Sequence, residues 1–343
     1  MDLVRATAIV KDKIINLDID GLNISAYNKR YFKHYQQNLD FYLDAYSQLL
    51  LRATSKLDIP INKAVFLDYG GGSGLLSYLA KTLGFNKVIY NDLYEISVDD
   101  VKVISQHLEL KIDEFIVGDI QQVTESLNKL KIYPDLICSF DVLEHIYDIN
   151  EWFTQLKEFK HPFKLFFKTS ANGNNPFINR RLKKMHINAE LFDRKIEEGW
   201  KEIDLHTSFL KERKKIITEH FHQLTEDEVD KLATQTRGLK EDDIKKEVSY
   251  FIEHGEMKYI ITHPTNTCDP YTGNWTEKII DTKLLCAFIN SLGFTCYVSN
   301  SFYPYSQKKI LNIPKYITNL IIRLMGKTNL FFSPSYTIEV EHN

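Results

Sequence analysis

The chain has few of the features that mark a specialised class of protein. Its four cysteines form no CxxC pair, which argues against a zinc knuckle and against a framework of disulfide bonds. Its 43 Lys and Arg residues do not outnumber its 46 Asp and Glu residues, so the excess of positive charge that a nucleic-acid groove requires is missing. We therefore expect no nucleic-acid partner.

Long apolar runs are also missing. Charged residues interrupt the first 13 positions, so we expect no secretion signal. The most apolar late stretch, residues 310–332, is broken by Pro314, Lys315, Arg323 and Lys327, which excludes a membrane span. These features predict a cytoplasmic protein of two domains, or of one domain with a large insertion.

Apolar runs alternate with amphipathic helices between residues 63 and 170. Strands are predicted at 64–67, 87–90, 114–117, 136–140 and 164–168, and helices at 75–83, 97–108 and 150–158. A helix at 281–292, a strand at 294–298 and an edge strand at 336–340 continue the pattern late in the chain. Alternation of this kind is typical of an α/β fold with a doubly wound, mainly parallel sheet covered on both faces.

Two segments do not follow this rhythm. Residues 1–62 are predicted to form an N-terminal helical cap, helical mostly from residue 28 onward. Residues 171–280 are richer in charge and are predicted to form a helical insertion, with a capping box at Thr225 and Glu228 and a helix at 241–254 that ends at Gly255. Its small core is expected to contain the following apolar residues: Phe192, Trp200, Leu210, Ile216, Phe221, Phe251 and Ile252.

A glycine-rich turn directly follows the first predicted strand. Gly70, Gly72 and Gly74 form G-x-G-x-G before a helix, whereas dinucleotide sites require G-x-G-x-x-G. Glycines at such a turn let the backbone approach a ligand closely, and the amides at the helix N-terminus face that ligand. Asp68 precedes the turn, where it would repel a pyrophosphate but suit a cationic ligand.

This motif resembles the first motif of the class I S-adenosylmethionine-dependent methyltransferases. The resemblance continues with Asp92 after the second strand, with Gly118-Asp119-Ile120 after the third, and with Leu143-Glu144-His145 after the fourth. The Leu-Glu-His run is similar to the branch that includes ubiquinone-biosynthesis O-methyltransferases. The resemblance implies a Rossmann-like domain, formed by residues 63–170 and 281–343, with S-adenosyl-L-methionine as cofactor.

The resemblance also implies roles for individual residues. Asp92 would accept hydrogen bonds from both ribose hydroxyls, and Asp119 from the exocyclic amine of adenine. The predicted cofactor-binding set is Asp68, Gly70, Gly72, Gly74, Asp92, Leu93, Asp119, Ile120 and Phe140.

Methyl transfer from a sulfonium needs a base only if the acceptor must lose a proton, as a hydroxyl does. His145, in the loop after the fourth strand, is the candidate base, with Asp141 beside it; the alternative is that His145 caps or packs against the next helix. Asp141, Glu144 and His145 also have metal-ligand chemistry, but such trios are usually structural, and no metal is predicted.

The stretch from His263 to Glu277 has no periodicity but combines turn formers with aromatic and polar side chains. It is either a substrate-binding loop or an ordered connection in which Trp275 fills the core of the insertion. The candidate substrate-binding residues are His186, His263, Asn266, Asp269, Tyr271 and Trp275. His186 stands on a charged helix, where a lone histidine is more often solvated.

Two further patterns leave alternatives open. Tyr31, Tyr35, Tyr42 and Tyr46 either close over the cofactor or pack against the sheet. The apolar stripe of Ile317, Leu320, Ile321 and Leu324 favours core packing or a homodimer face over membrane contact. The predicted function is O-methylation of a small molecule or glycan intermediate by direct in-line transfer; the alternatives are a peptide or protein methyltransferase and a catalytically silent binding or scaffold protein.

Overall fold

The computed structural model describes residues 2–159, 161–195, 205–305, 310 and 312–342. Three helices come first: α1 (Leu3–Ile15), α2 (Ala26–Gln37) and α3 (Leu39–Thr54). The alternating part follows: β1 (Val65–Tyr69), α4 (Leu75–Leu83), β2 (Lys87–Asp92), α5 (Glu95–His107), β3 (Glu114–Val117), α6 (Ile120–Leu130), β4 (Leu136–Phe140), α7 (Ile149–Gln155) and β5 (Phe163–Thr169).

The rest of the chain begins with four helices and then returns to the sheet. The helices are α8 (Pro176–Leu191), α9 (Phe209–His220), α10 (Glu226–Gln235) and α11 (Glu241–His254). The last elements are α12 (Thr282–Ser291), β6 (Thr295–Asn300), α13 (Asn312–Leu324) and β7 (Tyr336–His342). Within the described ranges no helix has the length and apolar character that crossing a membrane requires.

The seven strands form one sheet in the order β3-β2-β1-β4-β5-β7-β6. All neighbours among β1 to β5 are parallel, whereas β7 runs antiparallel to β5 and β6. The strand order reverses between β1 and β4, and ligands of open α/β sheets bind at such a switch point, outside the carboxyl ends of the strands. The predicted Rossmann-like α/β fold is confirmed.

Two apolar layers cover the sheet. One contains buried residues of α1, α3, α4 and α5, and the other contains residues of α6, α7 and α12. The N-terminal helices therefore share a core with the sheet. A buried carboxylate reinforces this attachment, since Asp100 of α5 accepts hydrogen bonds from Asn28 Nδ2 (2.8 Å) and from the Ser25 backbone (3.1 Å) at the start of α2.

The insertion has a core of its own, built from Ile216, Ile217, Val229, Leu232, Ala233, Ile244 and Val248. The capping box of Thr225 and Glu228 and the helix end at Gly255 are as predicted. The prediction was wrong for Phe192 and Ile252, which are 59% and 40% exposed because they lie on the outer faces of their segments. Trp200 lies outside the described residues.

Four further expectations need correction. Helices α1 and α6 were not predicted, although the capping box of Asp119 and Gln122 begins α6. Strand β7 is not at the edge: it lies between β5 and β6, and its alternation is interrupted by buried Glu339, which Arg52 Nε contacts at 2.5 Å. A disulfide joins Cys286 of α12 to Cys296 of β6. The apolar stripe of α13 faces solvent, so core packing was wrong.

Candidate active site

The glycine turn leaves one side of its backbone open. Gly70, Gly72 and Gly74 all have positive φ (69°, 52° and 81°), a conformation that other residues rarely adopt. A Cβ on Gly70 would lie 2.5 Å from Val142, and one on Gly74 2.8 Å from the Tyr78 ring. A Cβ on Gly72 would meet no atom of the described residues within 4 Å. The turn is thus packed on both flanks and open at its middle.

The acid that ends β2 lies beside this opening. Asp92 accepts hydrogen bonds from the Gly72 amide (3.0 Å) and from the Tyr94 amide (2.9 Å), so one carboxylate links the turn to the start of α5. The Tyr90 hydroxyl donates to the Gly72 carbonyl at 2.5 Å. Leu93, the next residue along the chain, is 73% exposed.

Asp68, the acid that precedes the turn, is buried and bonded to Ser77 of α4. Its Oδ2 accepts hydrogen bonds from the Ser77 hydroxyl (2.7 Å) and amide (3.0 Å), and only 1% of its surface is exposed. Burial, assisted by the charge of Asp92, raises the pKa of Asp68 to about 7 against the opposing effect of the two Ser77 bonds. The Asp68 carboxyl therefore changes its charge near neutral pH.

The third strand contributes an exposed acid at a helix start. Asp119 Oδ1 caps α6 by accepting from the Gln121 amide at 2.8 Å, while Ile120 beside it is buried. Asn91 fixes the preceding turn through a hydrogen bond from its Nδ2 to the Gly118 carbonyl (2.9 Å). Gly72, Asp92 and Asp119 thus stand at the carboxyl ends of three neighbouring strands.

The residues at the end of β4 contact the N-terminal helices. The Phe140 ring stacks on the Tyr46 ring of α3, with centroids 4.3 Å apart. The Lys168 ammonium lies 4.9 Å from the centre of the Phe140 ring and donates to the Ala45 carbonyl (3.0 Å). Burial lowers the pKa of Lys168 to about 8. Sequence reasoning missed Lys168, although a lysine at the end of an apolar strand was a visible signal.

Asp141 is strained and well anchored. It has a φ of 54° without being glycine, and a non-glycine residue held in this region is often found at a functional site. Its amide donates to the Lys168 carbonyl (2.8 Å), and its Oδ1 accepts from the Ser170 amide (2.7 Å). Burial is the main cause that raises the pKa of Tyr35, Tyr42 and Tyr46, and the negative charge of Asp141 adds to it. These tyrosines of α2 and α3 therefore lie near Asp141. Tyr31 is 41% exposed.

His145 is held by the distant loop. Its Nδ1 lies 2.8 Å from the Trp275 carbonyl oxygen, and its Nε2 lies 3.9 Å from Glu277 Oε1. Backbone bonds join the same segments, since the Lys278 amide donates to the Glu144 carbonyl at 3.0 Å. A cavity of about 220 Å³ is lined by His145, Trp275, Glu277, Asp269 and their neighbours.

Two carboxyls accompany His145, one buried (Glu144) and one half-buried (Glu277). Glu144 is fully buried, and neither of its carboxylate oxygens has a hydrogen-bond partner in the part of the chain that the structure describes. Burial, followed by the charges of Asp141 and Glu277, raises the pKa of Glu144 well above its usual range, although the nearby Thr169 hydroxyl opposes this. Burial also raises the pKa of Glu277, which sequence reasoning did not select. Among the described residues no three His, Cys, Asp or Glu side chains are arranged to hold a metal ion.

Most of the predicted substrate-binding side chains are engaged in internal hydrogen bonds. His186 is buried, contrary to the expected solvation, with Nδ1 3.0 Å from the Thr265 hydroxyl and Nε2 2.9 Å from the Glu277 carbonyl. Asn266 bonds through both side-chain atoms to the Ile279 backbone.

The remaining loop residues are bonded similarly. The Asp269 carboxylate accepts from the amides of Tyr271 (2.8 Å) and Thr272 (3.0 Å), and the Tyr271 hydroxyl donates to Glu212 (2.9 Å). Trp275 Nε1 donates to the Tyr147 carbonyl (2.9 Å). Burial lowers the pKa of His263 to about 4, and its Nδ1 accepts from the Asn266 amide (3.2 Å). Only Asp269 and Trp275 of the six line the 220 Å³ cavity.

The chain is similar to one protein family and to several solved structures. A sequence model of the methyltransferase-domain family matches residues 27–238. No curated protein matches the chain. Among solved structures, the plantazolicin methyltransferase BpumL in complex with SAH is 11% identical, with 99% of each chain covered and a TM-score of 0.40.

A second similar structure is an S-adenosylmethionine-dependent methyltransferase from Mesorhizobium loti, 13% identical, with 85% of this chain and 96% of that chain covered and a TM-score of 0.36. Three other matched structures are covered over only 57%, 38% and 64% of their own length. The match to the family model spans more than half of the chain, and the fold has the strand order described above. The chain therefore belongs to the methyltransferase-domain family.

Proposed function

We propose that the chain methylates a hydroxyl group of a small molecule or a glycan intermediate by direct in-line transfer. The observation that carries this proposal is the arrangement of His145. A carbonyl oxygen can only accept, so the 2.8 Å contact with Trp275 requires a proton on Nδ1. In the neutral ring Nε2 then presents its lone pair, which is what a base for a hydroxyl needs.

The open face at Gly72 fits the cofactor, because a ligand can approach the backbone there without meeting a side chain. In this proposal Asp92 holds the ribose hydroxyls and Asp119 the adenine amine, with Leu93, Ile120 and Phe140 around them. When bound, S-adenosylmethionine supplies a methyl group already activated by the positive sulfur. The chain then has to align the acceptor, exclude water and remove one proton.

Glu277 supports His145 in this role. Its Oε1 lies 3.9 Å from Nε2, close enough to stabilise the imidazolium that forms when the ring accepts a proton. The charge of His145 in turn favours the ionised form of Glu277 and opposes the effect of burial on its pKa. In this proposal His145 is the base, and the Glu277 carboxylate balances the positive charge that the ring gains with the proton.

In the same proposal residues 171–280 form a substrate cap and residues 1–62 a second cap. The first is supported by Trp275 and Glu277, which lie in the loop after the insertion helices and line the cavity together with His145. The second is supported by the stacking of Tyr46 on Phe140. The link to the ubiquinone-biosynthesis branch, the cytoplasmic location and a homodimer stay predictions.

The test is transfer of a labelled methyl group from S-adenosylmethionine to the small-molecule and macromolecular fractions of a cell extract. We expect label in the small-molecule fraction, in a product stable to mild base, as methyl ethers are. His145→Gln should lower the transfer rate by about 10²–10⁴, the contribution of a general base, while the affinity for S-adenosylhomocysteine stays unchanged. His254→Gln, at the exposed end of α11, is the matched control.

The other outcomes are equally informative. Label in peptides or proteins would replace the proposed acceptor by a macromolecule. No label in either fraction, with the cofactor bound, would indicate a catalytically silent protein. Full activity of His145→Gln would remove the proton-transfer role and leave His145 as a structural link to Trp275.

A further inference from the structure

Helix α13 is attached to the protein through its polar side. Asn319 is buried, and its side chain accepts from the Tyr303 amide (2.7 Å) and donates to the Tyr303 carbonyl (3.0 Å). One turn earlier, Lys315 donates to the Pro304 carbonyl (2.6 Å). Ile322 is the apolar residue of the helix that is buried with Asn319.

The opposite side of the helix is apolar and exposed. Its residues recur at intervals of three and four, so they form one continuous stripe along the helix. They are Ile313 (60% exposed), Tyr316 (65%), Ile317 (54%), Leu320 (49%), Ile321 (37%) and Leu324 (79%). This amphipathic helix thus turns its apolar face outward, which is the reverse of a helix that packs on a core. A contiguous exposed apolar surface of this kind marks an interaction site.

The segment of the sequence that contains the stripe carries charge of one sign. Residues 300–338 contain five Lys and Arg residues and no Asp or Glu, although acids outnumber bases in the whole chain. Arg323 lies in the last turn of α13, with its guanidinium 5.2 Å from the centre of the Phe302 ring. Lys327 follows the helix and is exposed. The apolar stripe is therefore flanked by cations without local counter-charges in the sequence.

We propose that α13 docks this enzyme on the surface of an anionic lipid bilayer, with the helix lying in the plane of the interface. The stripe would enter the boundary between headgroups and acyl chains, and Arg323 and Lys327 would contact anionic headgroups. A second copy of the chain fits less well. A two-fold contact through the same face brings two surfaces that are both flanked by cations together, and such like charges repel.

The test is co-sedimentation of the full-length chain with vesicles of phosphatidylcholine alone or of phosphatidylcholine mixed with phosphatidylserine. We expect binding to the mixed vesicles only, weakened by added salt. Ile317→Ser combined with Leu324→Ser should lower the partition coefficient by about tenfold, and Lys327→Gln by about threefold. Ile260→Ser changes an equally exposed residue outside the stripe (77%) and should leave binding unchanged. Circular dichroism checks that the variants are folded.

Three results would overturn the proposal. The first is no sedimentation with mixed vesicles. The second is equal binding to neutral vesicles. The third is a dimer in light scattering that the Ile317→Ser, Leu324→Ser variant converts to a monomer, since this would place a second copy on the stripe. None of these readouts uses methyl transfer, so their outcome is independent of the proposed function.

Discussion

The sequence predicts a binding site at the glycine turn and another at the loop from His263 to Glu277. In the structure the turn has an open face, whereas the polar groups of the loop form internal hydrogen bonds. At the turn, Gly72 faces open space, and Asp92 stands beside it at the end of a strand. In the loop, the side chains of Asn266 and Trp275 form hydrogen bonds with backbone groups of the chain itself. The loop is thus mainly a structural link from the insertion to His145.

The difference shows that composition alone does not identify a binding site. A buried loop without regular structure must satisfy its own backbone groups, and Asn, Asp, Thr and His side chains are the usual partners. The same residues would be typical of a polar ligand site. Position decides between the two, because the ends of parallel strands have a defined direction toward the ligand crevice.

Removal of the Asp92 carboxylate beside the glycine turn is expected to have the greatest effect on cofactor binding. Asp92→Ala removes the carboxylate proposed to hold two ribose hydroxyls, and hydrogen bonds to charged groups contribute about 1.5–3 kcal/mol each. Calorimetry should show that the affinity for S-adenosylhomocysteine falls by about 10²-fold or more. Asp269→Ala is the control: it removes a loop carboxylate that binds two amides, so it should lower stability and leave cofactor affinity intact. Unchanged affinity in Asp92→Ala would contradict the assignment.

A buried ion pair in the insertion anchors the loop from His263 to Glu277. Fully buried Arg213 of α9 pairs with Glu190 of α8 and donates to the Ala233 carbonyl (2.8 Å), and Thr267 of the loop donates to the same Glu190 (2.7 Å). Arg213→Met leaves the Glu190 charge without its partner, which costs about 3–5 kcal/mol. Urea denaturation should show this loss in the free energy of unfolding.

The control for this variant is its neighbour in the helix. Lys214→Met removes a more exposed cation paired with Asp230 and should change stability by less than about 1 kcal/mol. The cofactor affinity of folded Arg213→Met should match that of the unmodified chain. A loss of cofactor affinity would show that the loop and the turn are energetically coupled.

The third prediction uses two adjacent glycines. A Cβ on Gly71 would lie 2.5 Å from the Tyr90 ring, so Gly71→Ala overpacks the core and should cost about 1–3 kcal/mol of stability. A Cβ on Gly72 projects into the opening. Gly72→Ala should therefore reduce the free energy of cofactor binding more than it reduces the free energy of unfolding. Melting temperatures and calorimetry on both variants compare the two losses. Equal effects in both would show that the opening is not the ligand side of the turn.

Sequence reasoning located the strands with their end residues because apolar runs and glycine turns are local signals. It missed α6 because the polar surface of this helix leaves only Ile120, Val123 and Leu127 as buried positions. It missed Glu277 and Lys168 for a different reason. Glu277 lies beside His145, more than a hundred residues away in the sequence, and Lys168 lies beside Phe140, about thirty residues away. No local sequence pattern contains contacts between such distant segments.

The smallest effect concerns the charge of Asp68. Because burial raises its pKa to about 7, the carboxyl is neutral in more acidic solution and negative in more alkaline solution. S-adenosylmethionine carries a positive sulfur, and S-adenosylhomocysteine does not. The preference for the charged ligand should therefore rise by a few-fold, about 1 kcal/mol, as the pH increases through 7.

Calorimetry with both ligands between pH 6 and pH 8 measures this preference, and Asp68→Asn should abolish its pH dependence. The protein's stability gives an independent check on the titration. A raised pKa means that the folded chain binds more protons than the unfolded chain between about pH 4 and 7, so this contribution to stability is present at low pH and is lost as the pH rises through 7. If stability shows this slope but ligand preference does not, Asp68 only anchors Ser77, and the crevice distinguishes its ligand through other groups.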